Sequence, residues 1–199
     1  MPKISEEAKE EKRLALLEAA LECFSTKGYY ASSVDDIVQY SNLSKGSVYN
    51  YFKSKEEMFI TLLQYQTKTS LENLTVVLNE IESPLEKLKY WINMDIPYNL
   101  KKKKMMRVHL EFWLYSTDSP EIKRVLTDRF DIVLGKVKDI IAEGQQAGEF
   151  KKDIDPEKAG AMFWSLHDGV WLHALVRYNE KELEALIKEM EKTMLSYLL

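Results

Sequence analysis

The sequence predicts an all-α protein made of two modules, and three observations lead to this prediction. Strand signals, such as strict alternation of apolar and polar residues, are nearly absent from the 199 residues. Signals that start and stop helices recur along the whole chain. Two predicted helices in the N-terminal part, VDDIVQY and KGSVYNYF, are short, whereas the later ones are several turns long, which indicates a small module followed by a larger one.

The first predicted helix runs from about Glu6 to Lys27 and ends at Gly28, a residue type that favours helix C-termini. Its apolar side chains share one face, as expected of a helix packed on a core: Leu14, Leu17, Leu21 and Phe24. Cys23, the single cysteine, lies in a helical pattern with Leu16, Ala20 and Phe24 and cannot form an internal disulfide. We expect a buried, reduced thiol; a redox sensor is the alternative, and both fit a cytoplasmic protein.

Capping chemistry marks the starts of the later helices. Each start combines a side chain that can accept a hydrogen bond with an acid or a proline in the first turn. The combinations are Ser33 with Asp36, Ser54 with Glu57, Ser83 with Pro84 and Glu86, Ser119 with Pro120, Asp155 with Pro156, and Asn179 with Glu182. The segments 55–81, 119–147 and 156–178 are long enough for helices of several turns.

No segment rich in glycine, proline or serine separates the two modules. We therefore place the boundary at the helix that begins at Lys55, which gives a first domain over 1–54 and a second, larger helical domain over 55–199. Without a flexible linker, we expect the two domains to be joined rigidly.

The chain is slightly acidic, with 28 lysines and arginines against 32 aspartates and glutamates and a formal net charge of −4. Any nucleic-acid partner must therefore meet a local patch rather than the whole surface. No segment has the pattern of a signal peptide or the roughly 18 to 20 apolar residues of a membrane span. The sequence predicts a soluble, cytoplasmic protein with no membrane partner.

Residues 34–52 have the spacing of a helix-turn-helix, because VDDIVQY and KGSVYNYF are separated only by the turn residues SNL and the cap Ser44. Leu43 in the turn can fill the angle between the two helices. Asn42 also lies in the turn, where asparagine tolerates a positive φ. The apolar residues of the two helices can meet in one small core: Val34, Ile37, Val38, Val48 and Phe52.

The segment 44–55 contains three lysines and no acid, in contrast to the chain as a whole. Ser44 as the cap and Gly46 in the first turn leave backbone amides open to a phosphate. Ser32 and Ser33 can donate hydrogen bonds from a hydroxyl and from backbone amides to a neighbouring phosphate. A lysine such as Lys55 can bind the DNA strand. The candidates for contact with a DNA groove are Lys45, Ser47, Tyr49, Asn50 and Tyr51. The alternative is that these side chains form only the solvated face of a small helical bundle.

Residues 13–58 resemble the DNA-binding domain of the TetR family of bacterial transcriptional regulators. The matches are the paired alanines 19 and 20, Phe24, Gly28 followed by an aromatic residue, the hydroxyls of Ser32 and Ser33, and above all SKGSVYNYFKSKEEM. The family more often has Ala-Gly in the turn, where this chain has Ser41-Asn42, and alanine at Val38. The resemblance implies that Lys45, Ser47, Tyr49, Asn50 and Tyr51 contact an operator and that Lys55 meets a phosphate.

The C-terminal part is similar to that of the BetI and fatty-acid-responsive repressors. The similarity rests on EFW at 111–113, GEF at 148–150, Asp155-Pro156 and Asp168-Gly169. It implies a helical domain that forms a homodimer and holds a small ligand whose binding releases DNA. We expect no cofactor.

All four tryptophans and many bulky apolar residues lie beyond residue 90. Such side chains fill an interior more often than they line a pocket, and both interpretations stay open. The candidates for an effector pocket are Trp91, Met94, Met105, His109, Phe112, Trp113, Met162, Leu166 and Trp171. An apolar pocket of this kind suits a small lipophilic effector. His167 and His173 are six residues apart and do not share a helix face, so we expect no metal site.

The last two predicted helices each carry an apolar stripe. Two such helices from each of two subunits would form a four-helix dimer interface. The alternative is that the stripes cover only the core of the chain itself. The candidate interface residues are Met162, Leu166 and Val170 on one helix and Leu183, Leu186, Ile187, Met190 and Met194 on the other.

These features together predict a ligand-responsive, DNA-binding transcriptional regulator, a repressor that binds a palindromic operator as a homodimer. The alternative is a small helical enzyme or carrier that uses His109, Glu111, His167 and Asp168 in an apolar pocket. That alternative lacks a nucleophile with its base, a glycine-rich phosphate loop and a spaced set of metal ligands. We therefore expect no catalytic residues.

Overall fold

A computed structural model describes residues 5–41, 43–94, 100–177 and 179–199 of the chain. These residues form nine α-helices and contain no strand, so the predicted all-α class is confirmed. Asn42, predicted to lie in the turn, is outside the described residues. The helices are α1 Glu6–Lys27, α2 Val34–Ser41, α3 Lys45–Tyr49, α4 Lys55–Leu78, α5 Pro84–Met94, α6 Leu100–Tyr115, α7 Pro120–Ala147, α8 Pro156–Val176 and α9 Glu180–Leu198.

Side-chain caps form at the helix starts that the sequence predicted. Asp155 accepts hydrogen bonds from the N–H groups of the first turn of α8. Asn179 and Glu182 form a reciprocal capping box at the start of α9. Ser54 and Ser83 accept from backbone N–H groups three residues further on, at the starts of α4 and α5. The start of α6 at Leu100 has no counterpart among the predicted signals.

The chain packs into two compact units. The first contains residues 1–67 and 104–126, and the second contains residues 68–103 and 127–199. Helices α4, α6 and α7 contribute residues to both units. Within α4, the border between the two units lies between Thr67 and Lys68. The functional boundary after Ser54 stays a prediction.

The core of the first unit is built around aromatic rings. Tyr29 stacks on Phe59 with 4.0 Å between ring centroids, and Phe59 stacks on Phe112 of α6 at 3.6 Å. Phe24 packs edge-on against Phe59 at 5.1 Å. Cys23 is fully buried in the same core, and burial raises the pKa of its thiol, as expected of a structural cysteine.

The core of the second unit consists of residues from α4, α5, α7, α8 and α9. Two of its buried rings, Trp91 and Phe163, meet edge-on with 5.8 Å between centroids. The apolar stripe of α9 also faces this core: Leu183, Ile187, Met190, Met194 and Leu198 are buried within the single chain. The second unit therefore covers this stripe without a partner subunit.

Candidate nucleic-acid interface

The helix-turn-helix core forms as the apolar pattern predicted. Ile37 of α2, Val48 of α3 and Phe52 after α3 are buried together in the core of the first unit. The second helix is shorter than expected, because α3 covers only Lys45–Tyr49. Asn50 is its C-cap rather than an interior residue, with αR dihedral angles.

The outward side of α3 carries polar and aromatic side chains. Lys45, Gly46, Tyr49 and Asn50 are exposed. Ser44 caps α3 by accepting the N–H of Ser47 at 3.2 Å. These residues leave one face of the short helix open to solvent, while the other face holds the core.

Two of the predicted contact residues are more enclosed than expected. Ser47 and Tyr51 are half-buried, and Tyr51 packs against the core of the first unit. Of the five side chains predicted to contact DNA, only Lys45, Tyr49 and Asn50 are therefore exposed.

Two acids of α2 hold nearby lysines. Asp35 and Lys45 form an exposed ion pair at 2.8 Å, and this hydrogen bond raises the pKa of Lys45. Asp36 contacts Lys27 and accepts hydrogen bonds from the N–H and the hydroxyl of Ser33. These bonds, that of Lys27 first, hold the pKa of Asp36 well below its usual value. An exposed pair such as Lys45 with Asp35 is weak, so a phosphate can compete for the lysine.

The position of the Ser32 side chain does not match its expected role as a phosphate contact. Its side chain is buried, and its hydroxyl donates to the carbonyl of Gly28 at 2.6 Å. Cys23 in turn points its thiol at the Ser32 hydroxyl, with 3.4 Å between sulfur and oxygen. The hydroxyl satisfies a carbonyl near the end of α1, so we leave it out of the interface. Ser33 is exposed, and its hydroxyl bonds the Asp36 carboxylate.

Lys55 lies at the first position of α4 and is engaged with the backbone. Its ammonium donates to the carbonyls of Tyr29 and Ser32, each at 2.7 Å, and lies 4.2 Å from the centroid of the Tyr29 ring. Partial burial lowers the pKa of this amine. An ammonium has three N–H donors, and these contacts use two of them.

One polar cluster of the first unit was not predicted from the sequence. Lys104, Arg107 and Glu111 of α6 contact α1 and the turn that follows it. The contacts join residues about 80 positions apart in the chain. No local pattern could have indicated these partners.

The predicted pocket residues are divided between the two units. Met105, His109, Phe112 and Trp113 belong to the first, and Phe112 is part of its aromatic stack, while Trp113 is 47% exposed. The other five predicted residues, Trp91, Met94, Met162, Leu166 and Trp171, belong to the second unit.

In the second unit, aromatic side chains surround His167. Its ring lies 4.8 Å from that of Trp164, 5.7 Å from that of Trp171 and 6.0 Å from that of Phe163, measured between centroids. Trp91 contacts Trp164 edge-on at 5.9 Å. The buried indole N–H of Trp164 has no hydrogen-bond partner among the described residues.

The candidate dimer residues fall into two groups. Val170, Leu183, Ile187, Met190 and Met194 are buried within the chain, as the alternative interpretation proposed, because the helices of the second unit cover them. Met162, Leu166 and Leu186 are half-buried. The buried group therefore offers little surface to a partner.

The residues of the enzyme alternative are divided between the two units. His109 and Glu111 belong to the first unit, where Glu111 accepts the N–H of Tyr29, whereas His167 and Asp168 belong to the second. Within the described ranges, no group of three or more histidine, cysteine, aspartate or glutamate residues could hold a metal ion. Among the same residues, no helix is long and apolar enough to cross a membrane.

A buried helix-turn-helix core below an exposed polar helix face is the geometry of DNA-binding proteins of the helix-turn-helix class. Two family models match the chain. Residues 16–62 match the model described as bacterial regulatory proteins, tetR family. Residues 84–196, more than half of the chain, match the model described as BetI-type transcriptional repressor, C-terminal.

Individual relatives are similar over most of their length. The HTH-type transcriptional regulator YfiR of Bacillus subtilis is 27% identical over 186 residues, which cover 90% of this chain and 88% of that protein. The fatty acid metabolism regulator protein of the same organism is 25% identical over 160 residues, 80% of this chain and 81% of that protein. A transcriptional regulator from Saccharomonospora viridis, solved in complex with choline, superposes with a TM-score of 0.86 and 21% identity over 95% of this chain and 98% of that one.

The chain belongs to the TetR family of bacterial transcriptional regulators, with a C-terminal domain of the BetI type. It is therefore a transcriptional regulator rather than an enzyme.

Proposed function

We propose that this regulator is a repressor that binds a palindromic DNA operator as a homodimer and is released by a small lipophilic effector. The observation that carries the proposal is the division of α3 into a buried side and an exposed side. Val48 is 1% exposed, whereas Tyr49 is 46% exposed and Asn50 is exposed beside it. A dimer would place two such helices in successive major grooves, about 34–36 Å apart.

Two kinds of contact would hold the DNA. Lys45, Tyr49 and Asn50 would face base edges and the groove wall, since they are exposed on one side of α3. Lys55 would use its remaining N–H donor on a phosphate oxygen. Selection of bound duplexes from random DNA tests this proposal. A palindrome is the expected result, and enrichment of no sequence would contradict it.

The effector proposal draws on the aromatic cluster of the second unit. Trp164 places a buried indole N–H, without a described acceptor, among the rings of Trp91, Phe163 and His167. A buried donor without an acceptor is energetically unfavourable. A ligand with an apolar body and an acceptor oxygen would therefore satisfy the indole N–H of Trp164. Relatives with a fatty-acid name and with bound choline give the classes of compound to test first.

Tryptophan fluorescence can report this binding if one residue is removed. Trp113 belongs to the first unit, whereas Trp91, Trp164 and Trp171 belong to the second unit. The Trp113→Phe protein therefore restricts the signal to the second unit. Titration with fatty acyl compounds, aromatic amphiphiles and lipophilic cations should give saturable quenching together with operator release. Saturable quenching at unchanged operator affinity would contradict the allosteric part of the proposal.

The dimer proposal uses the exposed side of α8 rather than the buried stripe of α9. Ser165, Gly169, Leu172 and Val176 share one helix face, and Leu172 and Val176 are 46% and 84% exposed. A Cβ atom added at Gly169 would meet no atom within 4 Å, so a second helix could approach closely there. Met162 and Leu166, half-buried on the same helix, would contribute from the side.

A further inference from the structure

The contacts of α6 with α1 form one continuous set in the first unit. Lys104, Arg107 and Glu111 are three and four residues apart, so they share one side of α6. The ammonium of Lys104 holds the carboxylate of Glu22 at 2.6 and 2.7 Å. Arg107 donates to the carbonyl of Ser25 at 2.9 Å, close to the end of α1. These two residues fix the last turns of α1, where backbone carbonyls have no partner within the helix.

Glu111 continues this set at the turn after α1. Its carboxylate accepts the backbone N–H of Tyr29 and is only partly exposed. A Cβ atom at Gly28 would lie 3.1 Å from one carboxylate oxygen, and Gly28 has a φ of +87° that other residues rarely adopt. Glycine at this position therefore lets the carboxylate approach the backbone closely.

Tyr29 connects Glu111 to Lys55. Its N–H donates to Glu111, and its carbonyl accepts from the ammonium of Lys55 at 2.7 Å. The Tyr29 ring also lies below that ammonium and stacks on Phe59. Tyr29 therefore connects the Glu111 carboxylate to the ammonium of Lys55, the group proposed to contact a DNA phosphate.

We propose that Glu111 is a positioning residue for operator binding, which holds Lys55 in place through Tyr29. This inference rests on the proposed function, because it requires that Lys55 contact a phosphate. Without the carboxylate, the backbone N–H of Tyr29 loses its acceptor on α6, and the Tyr29 carbonyl that helps to orient the ammonium of Lys55 is held less firmly. Glu111 itself does not touch DNA.

A double-mutant cycle tests this proposal with the full-length protein and the duplex selected from random DNA. The variants are Glu111→Ala, Lys55→Met and the double variant; methionine keeps an apolar stem over the Tyr29 ring. We expect Glu111→Ala to weaken operator binding about tenfold and to lower the salt slope by about one, as loss of one phosphate contact does. In the Lys55→Met background, we expect Glu111→Ala to cause no further loss.

Glu121→Ala is the charge-matched control, because Glu121 is an exposed acid in the first turn of α7. It should leave the affinity and the salt slope unchanged. Should Glu111→Ala fail to fold, the same cycle with Glu111→Gln applies, since the amide oxygen still accepts an N–H but without charge. We then expect a loss of about threefold that disappears in the Lys55→Met background.

The outcomes separate this inference from the proposed function. Binding of no duplex by the unmodified protein would overturn both. Normal binding with independent, additive losses in the cycle would overturn the positioning role alone. Unchanged affinity of Lys55→Met would do the same, because Glu111 would then have no contact to position.

Discussion

Asp36 links the start of α2 to the end of α1 through a single carboxylate. It accepts from Ser33 and contacts Lys27, so its ionised form is bound more strongly in the folded state than in the unfolded chain. Its pKa in the folded protein therefore lies below the usual value of 3.8. A lowered carboxylate pKa stabilises the fold at pH values above the pKa of the unfolded state. This stabilisation is lost as the pH falls towards the pKa of the folded state.

We predict that Asp36→Asn lowers the melting temperature most at neutral pH. The difference between variant and parent should shrink as pH falls from about 5 to about 3, because Asp36 of the unfolded parent then takes up a proton while the folded parent keeps it ionised. Thermal melts followed by circular dichroism across this range measure the difference. Asp35→Asn is the control, since the carboxylate of Asp35 is exposed and contacts only Lys45 in the described contacts. A pH-independent difference at Asp36 would contradict the prediction.

Asn50 offers an amide at the exposed end of α3, where it can read a base edge. We predict that Asn50→Ala weakens the selected operator by roughly 1–3 kcal/mol and leaves binding to random DNA nearly unchanged. Fluorescence anisotropy with both duplexes at one salt concentration makes the comparison. An equal loss on both would identify Asn50 as a backbone contact.

At the scale of elements, α7 contains two glycines in opposite environments. A Cβ atom at Gly144 would lie 2.1 Å from the ring of Phe150, whereas a Cβ atom at Gly135 would meet nothing within 4 Å. The chain returns over Gly144, whose carbonyl accepts the N–H groups of Glu149 and Phe150. Gly144 is therefore required by packing, and Gly135 only weakens the helix.

We predict that Gly144→Ala lowers the free energy of unfolding by about 1–3 kcal/mol, because the ring must move. Gly135→Ala should raise it by about 0.5–1 kcal/mol, since alanine favours a helix interior over glycine. Urea denaturation at one protein concentration provides both values. Equal effects of the two substitutions would contradict the packing argument.

Helix starts with a side-chain cap could be predicted from the sequence, because a cap such as Asn179 with Glu182 involves residues three positions apart. The apolar stripe of α9 was also visible, but periodicity shows which side of a helix is apolar and not what covers it. Ile187 and Met190 are accordingly buried within the chain itself.

The candidate site divides in the same way. The recognition face of α3 follows from local spacing, as Val48 and Tyr49 show. The partners of Lys55 and Glu111 are 26 and 82 residues away along the chain. Such contacts depend on tertiary packing. The sequence therefore predicted that Lys55 contacts a phosphate, but not which carbonyls orient its ammonium.

For the whole molecule, the proposed dimer gives the clearest test. We predict that Val176→Glu converts the dimer to a monomer, because it places a charge in the apolar face of α8 that would meet a second copy. Val76→Glu is the matched control: Val76 is 63% exposed on α4, outside the proposed face, whereas Val176 is 84% exposed. Analytical ultracentrifugation measures both. A Val176→Glu protein that stays dimeric would place the interface elsewhere.

The separation of the two sides of α3 has an evolutionary consequence. Val48 and Phe52 maintain the fold, whereas Gly46, Tyr49 and Asn50 are exposed, and a side chain at Gly46 would meet no atom within 4 Å. We expect substitutions at these exposed positions to change the preferred DNA sequence at little cost in stability, since exposed positions usually alter the free energy of unfolding by less than about 0.5 kcal/mol. A duplicated copy of the gene could therefore acquire a new set of target promoters through a few surface changes.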